Sequence, residues 1–273
     1  RGRFESRPME DIIEEVKKLA KSGYKEIILI AQDTTKYGID IYGKPKLAEL
    51  LKKLCKIDGI KWIRFLYAYP ETIDDKLIKV VKKNEKICKY FDIPIQHISD
   101  SVLKRMNRKS NSESIELLIK KLREKIPNVI IRTTVMVGFP GETQEDFEKL
   151  CNFVESAKFD KLGAFAYSKE EGTPAAKLKE QVHPMTKKAR YNKIMEIQQK
   201  VSEENLNKYI GKQLEVLVEG KTIDGKYYVC RSYMDVPDID GLIYLNNSKE
   251  LKIGDFVKCT IKSSINEYDL LGE

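Results

Sequence analysis

Four short stretches combine side chains that can hold a polar ligand. Gln32-Asp33-Thr34-Thr35 gathers an amide, a carboxylate and two hydroxyls directly after the apolar run EIILIA at 26–31. An acidic group there can hold an amine or the hydroxyls of a ribose, or it can cap its own turn. Gln96 and His97 follow the run KYFDIPI at 89–95. The Gln96 amide donates and accepts, which suits fixing a polar ligand. His97 stands without partners at metal-ligand spacing, so a hydrogen-bonded pocket or core residue is expected rather than a metal ligand. Arg132, beside Thr133 and Thr134 in a β-branched run, needs a counter-charge, either an internal carboxylate or a ligand carboxylate. VGFPGET at 137–143 reads as a strand end, a tight turn and a helix start. Thr143 and Asp146 are spaced for a capping box, and the glycines permit close backbone approach to an anion.

Other chemistries are excluded by pattern. There is no GxSxG elbow, Walker sequence or HExxH helix, and no GxGxxG follows the first strand. The five cysteines, at 55, 88, 151, 230 and 259, form no CxxC pair. An odd, scattered set reads as small buried hydrophobes in a reducing compartment, so the expected location is the cytoplasm. No run approaches the roughly eighteen apolar residues of a spanning helix.

The elements that must carry these residues alternate regularly. Apolar residues at helical spacing, such as Ile12, Val16 and Leu19, precede EIILIA; Leu47, Leu50, Leu51 and Leu54 precede KWIRFLY at 61–67. The same order recurs before KYFDIPI, before NVIIRTTVMV at 128–137 and before FDKLGAFAY at 159–167. Continuous apolar strands separated by helices predict right-handed βαβ units and a parallel sheet, either doubly wound or a barrel, with sites at the carboxyl ends of the strands. The series opens on a helix, so it is expected to begin after its first strand.

Beyond Pro174 the rhythm stops. Thr186 is placed to cap a helix running to about Tyr209, with Tyr191, Ile194, Ile197 and Val201 on one side. Five short strand-like runs with glycine turns follow from 213 and predict a small barrel of oligonucleotide-binding type, or a plain packing module. The expected division is therefore 1–185, a connecting helix over 186–211, and 212–273. The last unit carries eight lysines and arginines against eleven acids, a net −3, whereas the other 211 residues carry 42 against 31, a net +11.

RGRFESRP at 1–8, LIAQDTTKYGIDIYGKPKL at 29–47, LYAYP at 66–70, DIPIQHISDSVLKRMNRK at 92–109, RTTVMVGFPGETQEDF at 132–147 and FAYSKEEGTPAA at 165–176 together resemble the radical S-adenosylmethionine methylthiotransferases. The resemblance covers essentially the whole chain. It implies an α/β fold, a partial parallel βα (TIM-like) barrel followed by a small antiparallel β-barrel of the TRAM type. The wording of Gln32–Thr35 and of Gln96–Ser99 resembles the branch that modifies a protein rather than the branch that modifies an adenosine of tRNA. By that resemblance the substrate is an aspartate of small-ribosomal-subunit protein 12, methylthiolated at its β-carbon. The alternatives are the tRNA reaction, or a fragment that binds a ribosomal protein or RNA without catalysis.

The resemblance also implies cofactors and roles. One [4Fe–4S] cluster, held by a CxxxCxxC loop a few residues upstream of the position of Arg1, would act on S-adenosylmethionine. A second, in a separate amino-terminal domain, would deliver sulfur; neither ligand set occurs in this chain, so no metal ligand is expected within it. A cellular electron donor is implied, no membrane is, and direct nucleic-acid contact stays open. Gln32, Asp33 and Thr34 would lie near the methionyl group, Gln96 and His97 near ribose or substrate, Arg132 near a carboxylate, and Gly138 and Phe139 beside adenine. All would share one hollow open toward Arg1. A basic ribosomal protein is steered by negative charge, which makes Glu219, Asp235, Asp238 and Asp240 the candidates for a docking face.

Overall fold

The computed structural model describes residues 3–246 and 249–273. Arg1 and Gly2, beside which the upstream cluster loop is expected, lie outside the described residues. Among those described, the first part of the chain alternates as the periodicity predicts. Helix α1 (Met9–Lys21) leads to β1 (Glu26–Leu29), and the short α2 (Ile39–Tyr42) and α3 (Leu47–Leu54) lead to β2 (Trp62–Phe65). Helix α4 (Asp75–Lys83) leads to β3 (Tyr90–Gln96), α5 (Asp100–Arg105) and α6 (Ser112–Lys125) to β4 (Ile130–Val137), and α7 (Gln144–Ala157) to β5 (Lys161–Ala166). Capping explains the helix starts: Asp74 accepts from the Leu77 amide, and Asn111 and Thr143 each form a reciprocal capping box.

All five strands run parallel. β1 pairs with β2, and β4 lies between β3 and β5. The two sheets are joined less regularly, by an Ile63–Ile87 bridge and an Ala68 amide donating to Asp92 O. Pro94 interrupts the β3–β4 register between Ile93 and Gln96, where a residue without an N–H is tolerated. Neighbours in space are neighbours in sequence throughout. A doubly wound sheet would reverse its order, so this arrangement is an arc of a βα barrel. The helices bury Leu51, Leu54, Val81, Leu122, Leu150 and Val154 against the outer side of the strands. The inner side is set by β4, where Arg132, Thr134 and Met136 are half-exposed and the alternate residues buried.

Helix α8 (Pro184–Asn207) then crosses from the arc to the second unit. It begins two residues before the expected cap. His183 is the N-cap, its Nδ1 accepting from the Met185 amide, and Pro184 takes the first turn, where its missing donor costs nothing. Strands β6 (Gln213–Lys221), β7 (Tyr228–Ser232), β8 (Ile243–Leu245), β9 (Phe256–Ser264) and β10 (Leu270–Gly272) close a barrel in the order β10-β8-β7-β6-β9. The pairing is antiparallel as expected except at the seam where the short β10, having returned alongside β9, closes against β8 in parallel.

Candidate active site

The parallel strands give the arc a carboxyl end and an amino end, and the candidate residues divide between them. At the carboxyl end the chain leaves β1 through exposed Ile30, Ala31 and Gln32 and then turns inward. Asp33 caps the turn, one carboxylate oxygen accepting from the Thr35 amide (3.2 Å) and hydroxyl, the other lying 2.9 Å from Lys36 Nζ. The Thr34 hydroxyl donates to Leu66 O (2.7 Å) and its amide to Tyr67 O (3.1 Å). Asp33 and Thr34 thus fasten this loop to the end of β2, and Gln32 alone of the three remains exposed.

After β3 the backbone reverses at Gln96, which is half-buried with φ of 69°, a left-handed conformation that a side chain adopts only under constraint. His97 is fully buried. Its Nδ1 accepts from the Ser99 amide (3.0 Å), which places the ring proton on Nε2, 3.7 Å from Glu142 Oε2 and without a hydrogen-bond partner. Burial, aided by Arg190, outweighs the opposing pull of Asp146 and pushes the imidazole down to about 4, so it is neutral near pH 7.

Glu142 organises the loop after β4. One carboxylate oxygen accepts from the Gly138 (2.6 Å) and Phe139 (3.3 Å) amides, and the other from Arg190 Nη1 (2.8 Å), which also donates to Glu142 O. Burial raises its pKa, partly offset by Arg190 and the two amides. Asp146 collects the hydroxyls of Ser99, Ser101 and Thr143 together with the Thr143 amide; despite the cost of burial, these donors hold it below the usual carboxylate range. A methyl group at Gly138 would strike the Lys187 side chain on α8, and Phe139 packs edge-on against Tyr167 at 5.2 Å. The strand-end loops are therefore laced to each other and to α8. Exposed Ile30, Tyr67 and Phe165 stand around them as apolar surface.

Arg132 does not join this group. It lies five residues before the end of β4, about 17 Å lower at a strand's rise, and its Nη1 meets Asp92 at 2.8 Å with Asp240 3.9 Å from Nε. Its counter-charges are internal carboxylates, the first of the two partners its sequence position allowed. Arg132 therefore stands several residues below the edge that carries Gln32 and Gln96. Three of the four acids expected to form a docking face also turn inward. Glu219 pairs with Arg231, Asp235 with Lys161 (2.9 Å), and Asp240 accepts from the Tyr90 hydroxyl (2.7 Å) and the Val236 amide. Asp238 alone is exposed.

The charges that sequence reasoning passed over occupy the amino end. Arg64 donates to Glu26 (2.5 Å) and to the carbonyls of Tyr233 and Ser232; Arg231 donates to Glu26 (2.6 Å), to both oxygens of Glu219 and to Asp235 O. Glu26 thus joins an arginine of the arc to an arginine of the barrel. Arg64 in KWIRFLY and Arg231 in KYYVCRS are charges inside strands, the same signal that drew attention to Arg132. Arg190 had a signal too: it lies four residues before Ile194, in register with that helix's buried stripe.

An incomplete parallel βα barrel with a laced, partly open carboxyl edge, closed at its other end by a small β-barrel, defines a class of barrel enzyme scaffold whose chemistry sits on strand-end loops. The Radical SAM superfamily matches residues 1–154 and the TRAM domain residues 210–273, and the chain belongs to the Radical SAM superfamily. The "Ribosomal protein uS12 methylthiotransferase RimO" of Alkaliphilus oremlandii is 61% identical over 273 residues, 100% of this chain and 62% of that protein. Those so named from Thermoanaerobacter sp. and Clostridioides difficile are 56% and 52% identical, again over 100% of this chain and over 62% and 61% of their own lengths. The chain thus spans about three fifths of the relatives it matches.

Membership implies S-adenosylmethionine and a [4Fe–4S] cluster. For the cluster the residues do not fit: among those described, no group of three His, Cys, Asp or Glu could hold a metal ion, and Cys88, Cys230 and Cys259 are buried. At the carboxyl edge Gln32 and Gln96 bring two amide side chains to loops that also carry exposed Ile30, Tyr67 and Phe165. No described helix is long and apolar enough to cross a membrane.

Proposed function

We propose that this chain is the catalytic-barrel and TRAM portion of a methylthiotransferase that places a methylthio group on the β-carbon of an aspartate in small-ribosomal-subunit protein 12. The observation that carries the proposal is the end-to-end similarity, 52–61% identical, to proteins named for that activity. Gln32 and Gln96 make the polar contacts to S-adenosylmethionine, which supplies hydrogen abstraction and the methyl group when bound. Asp33, Thr34, His97, Gly138 and Phe139 act through the loops they fasten, holding those amides and the apolar rim in place. Arg132 serves the floor of the arc. Electron and sulfur chemistry belong to two [4Fe–4S] clusters of the whole protein, for which the described residues offer no ligand set. The partners are small-subunit protein 12 and a cellular electron donor, in the cytoplasm.

The test is anaerobic reconstitution of the intact protein, offered small-subunit protein 12 and, separately, a tRNA anticodon stem-loop, with mass analysis for the methylthio adduct. An adduct on the protein is expected; one on the RNA alone overturns the proposal. In the same preparation Gln96→Ala lowers S-adenosylmethionine affinity about tenfold, the loss of one or two hydrogen bonds to a charged ligand. Unchanged affinity removes Gln96 from the site.

A further inference from the structure

A cavity of about 380 Å³ lies where the edge of β5, helix α8 and the small barrel meet, below the carboxyl edge and apart from the loops described above. Its walls come from three separate elements. Gln198 of α8 is 2% exposed; its Nε2 donates to Phe159 O (3.0 Å), which leaves Oε1, on the opposite side of the amide, without a donor among the described residues. Gln198 lines the cavity, and its amide oxygen is the one buried side-chain acceptor among the lining residues left without a partner in the described structure. Asp240 enters from the small barrel. Its Oδ2 is occupied by Tyr90 and Val236, while the described residues offer Oδ1 Arg132 at 3.9 Å. Asp160, just before β5, accepts from the Ile131 amide through Oδ2, with Arg123 3.5 Å away.

The charge of the walls selects the ligand. Arg132 and Lys161 also line the cavity, yet each is matched by a carboxylate behind it, Asp92 and Asp235, at 2.8 and 2.9 Å. Counting Asp92 and Asp235 behind the walls and Asp269 among the lining residues, five aspartates stand against Arg123, Arg132, Lys161 and Lys208, leaving one negative charge in excess. Burial raises the pKa of Asp160 and of Asp240, so an added cation is welcome there and an anion is not. Acceptors on three walls suit a planar group with donors pointing several ways, which is a guanidinium rather than an ammonium.

We propose that this cavity binds an arginine side chain of the polypeptide substrate. The proposal rests on the reading that the substrate is a protein. Position supports it: Gly163 on the cavity wall pairs with Thr134, and the next pair on the same face, Met136 and Phe165, stands at the carboxyl edge. An extended peptide rising about 3.3 Å per residue covers that distance in two to four residues. An arginine two to four positions from the target aspartate therefore reaches the cavity when the target is at the edge.

The test needs no turnover. N-acetyl-arginine methylamide is titrated into the intact protein and followed by calorimetry or NMR, with the isosteric citrulline amide as the uncharged control. Arginine is expected to bind in the millimolar range, with citrulline about tenfold weaker. Asp240→Asn, which keeps an acceptor for Tyr90 and Val236, weakens arginine about tenfold. Gln198→Met weakens it several-fold, while Asn205 still donates to Phe159 O. Gly163→Val, where a Cβ meets nothing within 4 Å, narrows the cavity and weakens binding without straining the strand. Equal binding of arginine and citrulline, or full binding by folded Gly163→Val, overturns the proposal. Modified protein 12 without probe binding removes the cavity and leaves the function standing. Probe binding with modification of RNA alone removes the protein-substrate reading, and the role given to the arginine with it.

Discussion

The two ends of the parallel strands bury charge in opposite ways. At the amino end the two guanidiniums that cross between arc and barrel are closely paired: Arg64 and Arg231, 1% and 2% exposed, donate to Glu26, Glu219 and three carbonyls. At the carboxyl end Glu142 and Asp146 are well supplied with donors but the ring is not, since His97 Nε2 stops 3.7 Å short of Glu142. Backbone at Tyr67 and Gln96 is held left-handed there, and Ile30 and Phe165 stay exposed at 64% and 59%. A fully paired network fixes one arrangement; unpaired donors, constrained backbone and bare apolar surface are what a ligand can complete. The small barrel thus docks on the end that is built to stay closed, and leaves the other to be filled.

The largest expected effect tests the closed end. Arg231→Ala leaves Glu26 sharing a single arginine, Glu219 unpaired and the Asp235 carbonyl without its donor. Breaking a buried pair in this way costs about 3–5 kcal/mol, read as a fall in the urea midpoint of the intact protein. A loss under about 1 kcal/mol would show that apolar packing around Leu217, Met234 and Val236 holds the interface and that the network is incidental.

At the open end the corresponding test is pH. An unfolded histidine titrates near 6.5, whereas buried His97 stays neutral down to about 4. Between those values only the unfolded chain takes the proton, so stability contributed by the neutral ring is complete above 6.5 and falls as the pH drops. From pH 7 to pH 5 the loss is about 2 kcal/mol. Glu142, raised by burial, works in the opposite direction, so the comparison must be with His97→Asn, which keeps an acceptor for the Ser99 amide and removes the titration. An unchanged pH slope in that variant would place the effect elsewhere.

Much of this division was legible in the sequence, and the rest was hidden for a reason. Alternating helical and apolar strand patterns announce a parallel sheet, and its rule about carboxyl ends brings Gln32, Gln96 and Gly138 to one edge. The same rule misplaces Arg132. Periodicity says which face of β4 a residue occupies but not how far along the strand its partners lie, and those partners, Asp92 and Asp240, are 40 and 108 positions away in the chain. The tail acids turn inward for the same reason: net charge has no direction, and Asp235 pairs with a lysine of the arc while Asp240 accepts from the Tyr90 hydroxyl of the arc. Arg64, Arg190 and Arg231 were visible as charges inside apolar patterns; each marks a buried junction.

The smallest effect sharpens the comparison from inside the amino end itself. Lys61 and Glu215 cross between the same two units at 2.6 Å, a shorter contact than the 2.8 Å of Arg132 with Asp92. If the number or length of cross-unit ion pairs held the barrel in place, losing this one would be costly. Both side chains are nearly half exposed, however, at 44% and 46%, and water and salt solvate them as well apart as together. Lys61 also lies 4.4 Å from the centre of the Phe256 ring, which itself packs edge-on against Trp62, so changing the lysine would disturb packing as well as charge. Glu215→Gln is the cleaner variant because it leaves that contact alone. It should shift stability by no more than about 0.5 kcal/mol, and raising the salt concentration should erase the difference. A cost approaching that of Arg231→Ala would mean that burial is not what separates the two pairs.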